Sequence, residues 1–350
     1  MELLSSNYNP AKLSSSTAQK VWSEYLSKSD IVRIATGYVS SESLIELQKI
    51  IEVNINPKLD ILIGMHYFEG FTKQQYEATI ALNETLKSKD RGNIFISNKL
   101  KFHGKLYSFN SDKNCLGAII GSSNLSSITG TSNRLYEVDY LLKNEKAKEI
   151  DHTILNIFEK LGTNFSDLPP ITNFITQNDL LKNHYGVQEV SPSVITQMWD
   201  TKTDIYFDIP IKTEPKSNLN TYFGKGRVNQ RGFEVPRPWY EAELIVSKKI
   251  TILDNYPRNK AFQVFTDDGW TFKCETNGQN SKNFRSQNDL TILGKWIKGR
   301  LENNGSLKIG HPVTDDTLNH YGNNIMKLIA TNDPDIWLID FKNSISSYMI

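Results

Sequence analysis

The chain has 350 residues, long enough for two domains of ordinary size. Hydrophobic residues make up 38% and charged residues 23%, a soluble globular balance, and 40 Lys and Arg against 39 Asp and Glu leave a net charge of +1. A neutral total neither supports nor excludes nucleic acid as a partner, because a local basic surface is enough. No apolar run approaches the length of about 18 residues that suggests a membrane span. Two distant cysteines, Cys115 and Cys274, form neither a disulfide framework nor a paired-Cys zinc site. The first 16 residues are polar and lack the basic start and apolar stretch of a secretory signal, so a cytoplasmic location is expected.

In chain order, residues 31–38 are β-branched and apolar and predict a buried strand. Residues 40–52 follow with helical spacing, with Ser40 or Ser41 as cap. Strands are predicted over 59–65 and 93–97, with a helix over 71–89 between them. Three strand-like runs follow quickly, 105–109, 116–121 and 136–142, and a closing helix over 145–161. This alternation argues for an α/β domain with a mixed sheet over residues 1–165. Residues 166–193, with three prolines, read as a linker with local structure near Leu180 and Leu181. From 194 to 350 short strands dominate, at 204–211, 241–246, 261–266, 270–275 and 337–341, with a helix over 289–303 and a hairpin signal at Asp268-Gly269. This half reads as mainly β, a barrel or half-barrel, and no internal repeat is evident.

The chemistry concentrates in the first half. His103 and Lys105 are two apart beside a strand, so they present an imidazole and an ammonium to one face. The strand over 116–121 runs out into Gly121-Ser122-Ser123-Asn124, a tight exit with Asn124 at its end, and Glu137 opens the next strand. A neutral imidazole can attack phosphorus and carry the phosphoryl group covalently. Lysine supplies compact positive charge to the non-bridging oxygens, and asparagine donates neutral hydrogen bonds to them. Glutamate can accept the proton on the far ring nitrogen and fix the tautomer. His-x-Lys alone is common and Gly-Ser-Ser-Asn alone is an ordinary turn. Together, in order and on strand ends, they are far more specific.

At these residues the chain resembles the phospholipase D superfamily, whose signature is His-x-Lys, then Gly-Ser-x-Asn, then Glu or Gln. The resemblance implies catalytic roles for His103, Lys105, Ser122, Asn124 and Glu137. Where that pattern often has an aspartate five or six residues past the lysine, this chain has Asn110 and Ser111, with Asp112 just beyond. The other histidines, His66, His152, His184, His311 and His320, have no lysine at i+2. His66 follows a predicted strand and could reach the same site, but a satisfied structural role is the expectation. The mechanism needs two histidines, one as nucleophile and one as acid, and one motif supplies one. A two-fold homodimer with one composite site is therefore expected. No HExxH and no acidic cluster suits a metal mechanism, so no metal or cofactor is expected. The pairs Asp267-Asp268 and Asp315-Asp316 read as solvated turns.

Two stretches of the second half combine cations and amides without acids. One holds Lys225, Arg227, Asn229, Gln230 and Arg231; the other holds Asn277, Gln279, Asn280, Lys282, Asn283 and Arg285. Such side chains suit phosphate and base-edge contacts. Trp270, Trp296 and Trp337 lie in apolar contexts and are predicted core, whereas Trp239, near Pro236 and Pro238, is predicted to pack at a domain interface. Residues 224–240, 262–274, 283–300 and 310–321 resemble the C-terminal part of the NgoFVII-type restriction endonucleases. That resemblance implies a phospholipase D-like α/β domain, its mixed sheet flanked by helices, joined to a mainly β, B3-like pseudobarrel. The two loops would be arms embracing the major groove. It implies a Type II restriction endonuclease, a metal-independent site-specific deoxyribonuclease of double-stranded DNA, working beside a cognate DNA methyltransferase in a restriction-modification system. Near the first arm the chain has Arg227-Val228-Asn229-Gln230 where relatives carry a tryptophan-containing stretch, so base preference does not carry over. Other readings are a non-specific nuclease or phospholipase of the superfamily, and a sequence-specific DNA-binding protein with an inactive nuclease domain.

Overall fold

A computed structural model describes residues 1–8, 11–12, 16–112, 114–130, 135–174, 180–182 and 184–342. The contacts divide the chain into two units, one of residues 1–177 with 226–236, the other of 178–225 with 237–350.

The first unit opens with β1 (Glu2–Ser5), a strand in the segment read only as polar. Then come α1 (Ala18–Leu26), β2 (Ile31–Thr36), α2 (Ser41–Val53), β3 (Lys58–Ile63), the short α3 (His66–Glu69), α4 (Lys73–Ser88) and β4 (Gly92–Ser97). They are followed by β5 (Lys105–Ser111), β6 (Asn114–Gly121), α5 (Leu125–Thr129), β7 (Val138–Leu142), α6 (Glu145–Leu161) and β8 (Gly162–Asn164). Ser40, not Ser41, caps α2, exchanging hydrogen bonds with Ser43 in a capping box. The predicted strands and helices all form, with ends moved by at most two residues.

The eight strands form one sheet in the order β1-β7-β6-β5-β2-β3-β4-β8. β2, β3 and β4 run parallel, while β5, β6 and β7 alternate antiparallel. On one face α6 buries Ile154 and Phe158 against Ala35, Leu62 and Leu106, with Ile150 and Ile157 at helical spacing beside them. On the other face Trp22 of α1 meets Tyr107 and Phe109 of β5 edge-on. This order matters for function. Thr36 pairs with Lys105, Leu106 with Ile120, and Gly121 with Asp139. The end of β2, the start of β5, the end of β6 and the start of β7 thus lie at one edge of the sheet.

The second unit starts with β9 (Val187–Glu189), inside the segment read as a linker, and β9 pairs with a later strand. α7 (Pro192–Asp200) and β10 (Lys202–Pro210) follow. The strands β11 (Arg227–Val228) and β12 (Glu234–Val235) form a two-stranded hairpin that belongs to the first unit. The second unit then continues with β13 (Leu244–Ile245), shorter than the strand expected over 241–246, and α8 (Lys248–Thr251). It closes with β14 (Ala261–Thr266), β15 (Trp270–Asn277), β16 (Asn283–Ser286), α9 (Thr291–Asn303), α10 (Asp315–Tyr321), β17 (Ile325–Thr331) and β18 (Ile336–Asp340). The main path is β10-β17-β18-β14-β15-β16-β13, with β9 added on β15, a curled half-barrel. The turn between β14 and β15 is the expected one, with Gly269 at positive φ.

One sequence expectation needs correction in this unit. Asp267 does not lie in a solvated turn. Its side chain is fully buried, and Arg300 of α9 donates to both its oxygens, at 2.5 and 2.9 Å. Asp268 accepts from the Trp296 indole N–H at 2.9 Å. The adjacent acids do share a cation, a guanidinium supplied by a helix that the local sequence could not bring into view. Trp239, expected at a domain interface, is fully buried, and its N–H donates to Glu302 of the same unit at 2.9 Å. Trp296 and Trp337 are core as expected, while Trp270 is partly exposed. Asp315 and Asp316 are exposed in the first turn of α10, where they suit the positive end of the helix dipole.

Candidate active site

The four motif residues meet at the shared sheet edge. His103 lies in the connection between β4 and β5, one residue from its end, and its side chain is open to solvent. Lys105, the first residue of β5, is buried, and its Nζ lies 3.1 Å from His103 Nε2 and donates to the His103 carbonyl at 2.7 Å. An ammonium has no lone pair, so in this contact Nε2 is the acceptor and the ring proton sits on Nδ1. Burial pulls the Lys105 ammonium below the usual lysine range, and the Glu137 charge opposes that pull.

Asn124 stands at the N-cap of α5, where asparagine ordinarily caps through its own side chain. Here it makes no capping bond. Its Oδ1 instead accepts from the Tyr38 backbone N–H at 3.3 Å and from Thr36 Oγ1 at 3.5 Å. A backbone N–H can only donate, so Oδ1 faces the turn after β2, and Nδ2 is the atom left to donate outward.

Glu137 sits just before β7. Its Oε2 accepts from Ser122 Oγ at 2.5 Å and its Oε1 from Ser127 Oγ at 3.1 Å. Among the described bonds none joins Glu137 to His103. Within one chain the expected carboxylate–imidazole pair is not formed. Ser122 and Ser127 hold the carboxylate, and Lys105 meets Nε2 from the other side. Ser122 also accepts from the Val138 N–H at 3.0 Å, so the serine of the motif ties β6 to β7.

The turn that carries Asn124 is rigidly supported. Asp139 is buried and accepts from Ser123 N at 3.0 Å and Ser123 Oγ at 2.6 Å, while the buried Tyr107 hydroxyl donates to the Ser123 carbonyl at 2.8 Å. Gly121 is required by close approach, since a Cβ there would stand 2.3 Å from Asp139 Oδ1 and 2.5 Å from Asp139 Cα.

Sequence reasoning missed Asp139, Ser127 and the turn after β2. A glycine and an aromatic at the end of an apolar strand were the available signal. His66 takes the structural role foreseen for it. Its Nε2 accepts from the Val39 N–H at 3.2 Å, its Nδ1 donates to the Gly70 carbonyl at 3.0 Å, and its ring stacks on Phe71. Both nitrogens are occupied, and burial lowers its proton affinity.

The two arms differ. Arg227, Gln230 and Arg231 are exposed on the β11–β12 hairpin, and Lys225 is exposed just before it. Asn229 spends its Oδ1 on the turn, accepting from Arg231 N at 3.0 Å and Phe233 N at 3.1 Å. Glu234 in that hairpin exchanges backbone bonds with the Asn54 side chain at the end of α2, at 2.8 and 2.9 Å. In the other arm Gln279, Asn280 and Lys282 are exposed. Asn277 and Arg285 both donate to Glu275 Oε1, at 2.8 and 2.9 Å, and Arg285 also reaches Glu243 at 3.2 Å. Asn283 begins β16 and is only partly exposed, so the second stretch is half strand.

No helix of the described residues is long and apolar enough to cross a membrane. The family model for the NgoFVII restriction endonuclease N-terminal PLD domain matches residues 16–168, and that for the NgoFVII C-terminal B3-like DNA-binding domain matches residues 197–332. Among solved structures the chain is similar to Nuc, a phospholipase D family member from Salmonella typhimurium, with 14% identity and a TM-score of 0.32. That match covers 47% of this chain and 96% of Nuc. No curated protein sequence matches the chain. On the two family matches, which together span most of its length, the chain belongs to the NgoFVII restriction endonucleases, a phospholipase D-type domain followed by a B3-like DNA-binding domain.

Proposed function

We propose that this chain is a Type II restriction endonuclease that hydrolyses double-stranded DNA at a specific sequence, without a metal, through a phosphohistidine on His103. The observation that carries this reading is the convergence of His103, Lys105 and Asn124 on one sheet edge, with the His103 side chain exposed and its Nε2 3.1 Å from the Nζ of the buried Lys105. The family membership supports a nuclease with a DNA-binding domain.

In the proposed first step the Nε2 lone pair forms a bond to phosphorus as the bond to the leaving sugar oxygen breaks. That oxygen takes a proton from the partner subunit's His103, which enters this step as the imidazolium and leaves it neutral. In the second step water attacks phosphorus, gives its proton to the partner's His103, and the N–P bond breaks to restore His103. Lys105 and Asn124 Nδ2 would hold the non-bridging oxygens throughout, charge stabilisation placed before the reaction begins. Glu137, tied to Ser122 and Ser127, offsets part of the cost of burying the Lys105 charge. With His66 committed to the fold and one His-x-Lys motif in the chain, we assign the acid to a second copy, in a homodimer with one composite site.

Sequence reading falls to the second unit and the hairpin. Lys225, Arg227, Gln230, Arg231, Gln279, Asn280 and Lys282 are exposed and suited to phosphates and base edges. Arg285, held by Glu243 and Glu275, would have to leave two carboxylates to touch DNA. The test is incubation of the purified protein with plasmid and phage DNA in EDTA. Discrete fragments support the proposal; a smear supports a non-specific nuclease, and binding without cleavage a DNA-binding protein. His103→Ala should abolish cutting while leaving binding intact. A His103→Ala protein that still cuts would overturn the mechanism.

A further inference from the structure

The turn 37–39 touches the candidate site at three points, and no motif includes it. The Tyr38 ring meets the His103 imidazole edge-on, centroids 5.6 Å apart at 80°. The Tyr38 N–H fixes Asn124 Oδ1. Gly37 lies so close to His103 that a Cβ there would be 3.1 Å from its Cδ2. The turn is itself held. Val39 N–H donates to the buried His66, and the Tyr38 hydroxyl donates to Glu69 Oε2 at 2.6 Å. Lys101, two residues before His103, holds the other Glu69 oxygen at 3.2 Å.

We propose that Tyr38 is a positioning residue for the phosphodiester-cleaving site: its ring fixes the plane of the His103 imidazole, and its N–H turns the Asn124 amide so that Nδ2 faces the phosphate. This rests on the reading of His103 as nucleophile. An exposed imidazole rotates freely about two torsions, and a nucleophile must hold its lone pair in line with the bond that breaks. Lys105 faces one ring nitrogen, and the Tyr38 edge limits the remaining rotation. Glu69, at the end of α3, and Lys101, in the connection before β5, keep the Tyr38 ring from swinging outward. The turn after β2 thereby couples one element carrying charge donors to another carrying the nucleophile.

The test uses the full chain and single-turnover cleavage with enzyme in excess. Y38A should lower the cleavage rate about 10- to 100-fold, the range expected for misplacing a reacting group by up to about 1 Å. Its DNA affinity should stay within about two-fold and its melting temperature should hold. Y38F keeps the ring and should recover most of the rate. E69A, which frees the hydroxyl without touching the ring, should fall between the two. NMR couplings and relaxation of the His103 side chain should show one ring orientation in the parent and Y38F, and averaged orientations in Y38A. Y38A cutting at the parental rate, or losing rate only in step with affinity or folding, would overturn the proposal; so would Y38F falling as far as Y38A. If H103A is dead and Y38A is unaffected, only this inference fails. If H103A still cuts, the underlying reading fails first.

Discussion

The most informative single perturbation is Gly37→Ala. A methyl group there would stand 3.1 Å from His103 Cδ2 and 3.3 Å from its Cα, with ordinary contact to Met65 Cγ at 3.4 Å. Gly37 is not among the positive-φ residues, so alanine suits the backbone and the effect is steric. The imidazole must retreat by a few tenths of an ångström, because its Cα lies in a connection anchored at Lys105. If 1 Å of misplacement costs about 100-fold, a retreat of roughly 0.3–0.5 Å costs about 3- to 10-fold, or about 0.7–1.4 kcal/mol of barrier. Stability should hardly move. The overpacking cost of about 1 kcal/mol is offset by about 0.4–1 kcal/mol from the stiffer unfolded chain. Single-turnover cleavage and thermal melting, measured on one preparation, separate the two effects. A Gly37→Ala protein with the parental rate and melting temperature would mean that the His103 position is not set by this contact, and the steric reasoning would be refuted.

Three further outcomes are expected. Asp139→Ala removes a buried acceptor of two Ser123 bonds, and each bond to a charged group is worth about 1.5–3 kcal/mol, so urea unfolding should show a loss of about 3 kcal/mol or more. Cleavage should fall with it as the turn bearing Asn124 loosens. His66 has a folded proton affinity depressed by burial, so the unfolded chain takes up its proton first as pH falls. This contribution should erode stability as pH drops below about 6.5, the ordinary histidine value, and His66→Gln should flatten that part of the profile. Denaturation curves at pH 7.5, 6.0 and 5.5 on both proteins check the sign. In the second unit Lys298 is fully buried, donates to the Trp239 carbonyl at 2.6 Å and stands 3.3 Å from the centre of the Trp239 ring. Burial pulls its ammonium down to about 7. Lys298→Met leaves the buried Glu302 without that charge and should cost about 3–5 kcal/mol, whereas the double change with Glu302→Gln should cost less than the sum; additivity in denaturant titrations would refute the coupling.

Local pattern carried the outline of the molecule. β-branched runs and 3.6-residue spacing are properties of neighbouring residues, so β2, α2, α6, β14 and the Asp268-Gly269 turn were legible from the chain alone. The His103–Lys105 contact instead depends on the connection before β5, since His103 lies outside the strand and the Lys105 side chain reaches back to it. What the tertiary structure decided depends on strand order, which brings together residues that no local window contains. Glu137 found Ser122 and Ser127, not His103. Asn124 was turned by a backbone N–H 86 residues away in sequence, and Asp267 was buried against Arg300, 33 residues on. The hairpin around Arg227 joined the first unit through Asn54, although composition alone had grouped it with the second half. Sequence named the groups able to do the chemistry, since residue type fixes charge, lone pairs and donors. Only the sheet decided which groups hold which, because a hydrogen bond or ring contact forms where the fold sets two atoms a few ångströms apart, whatever their distance along the chain.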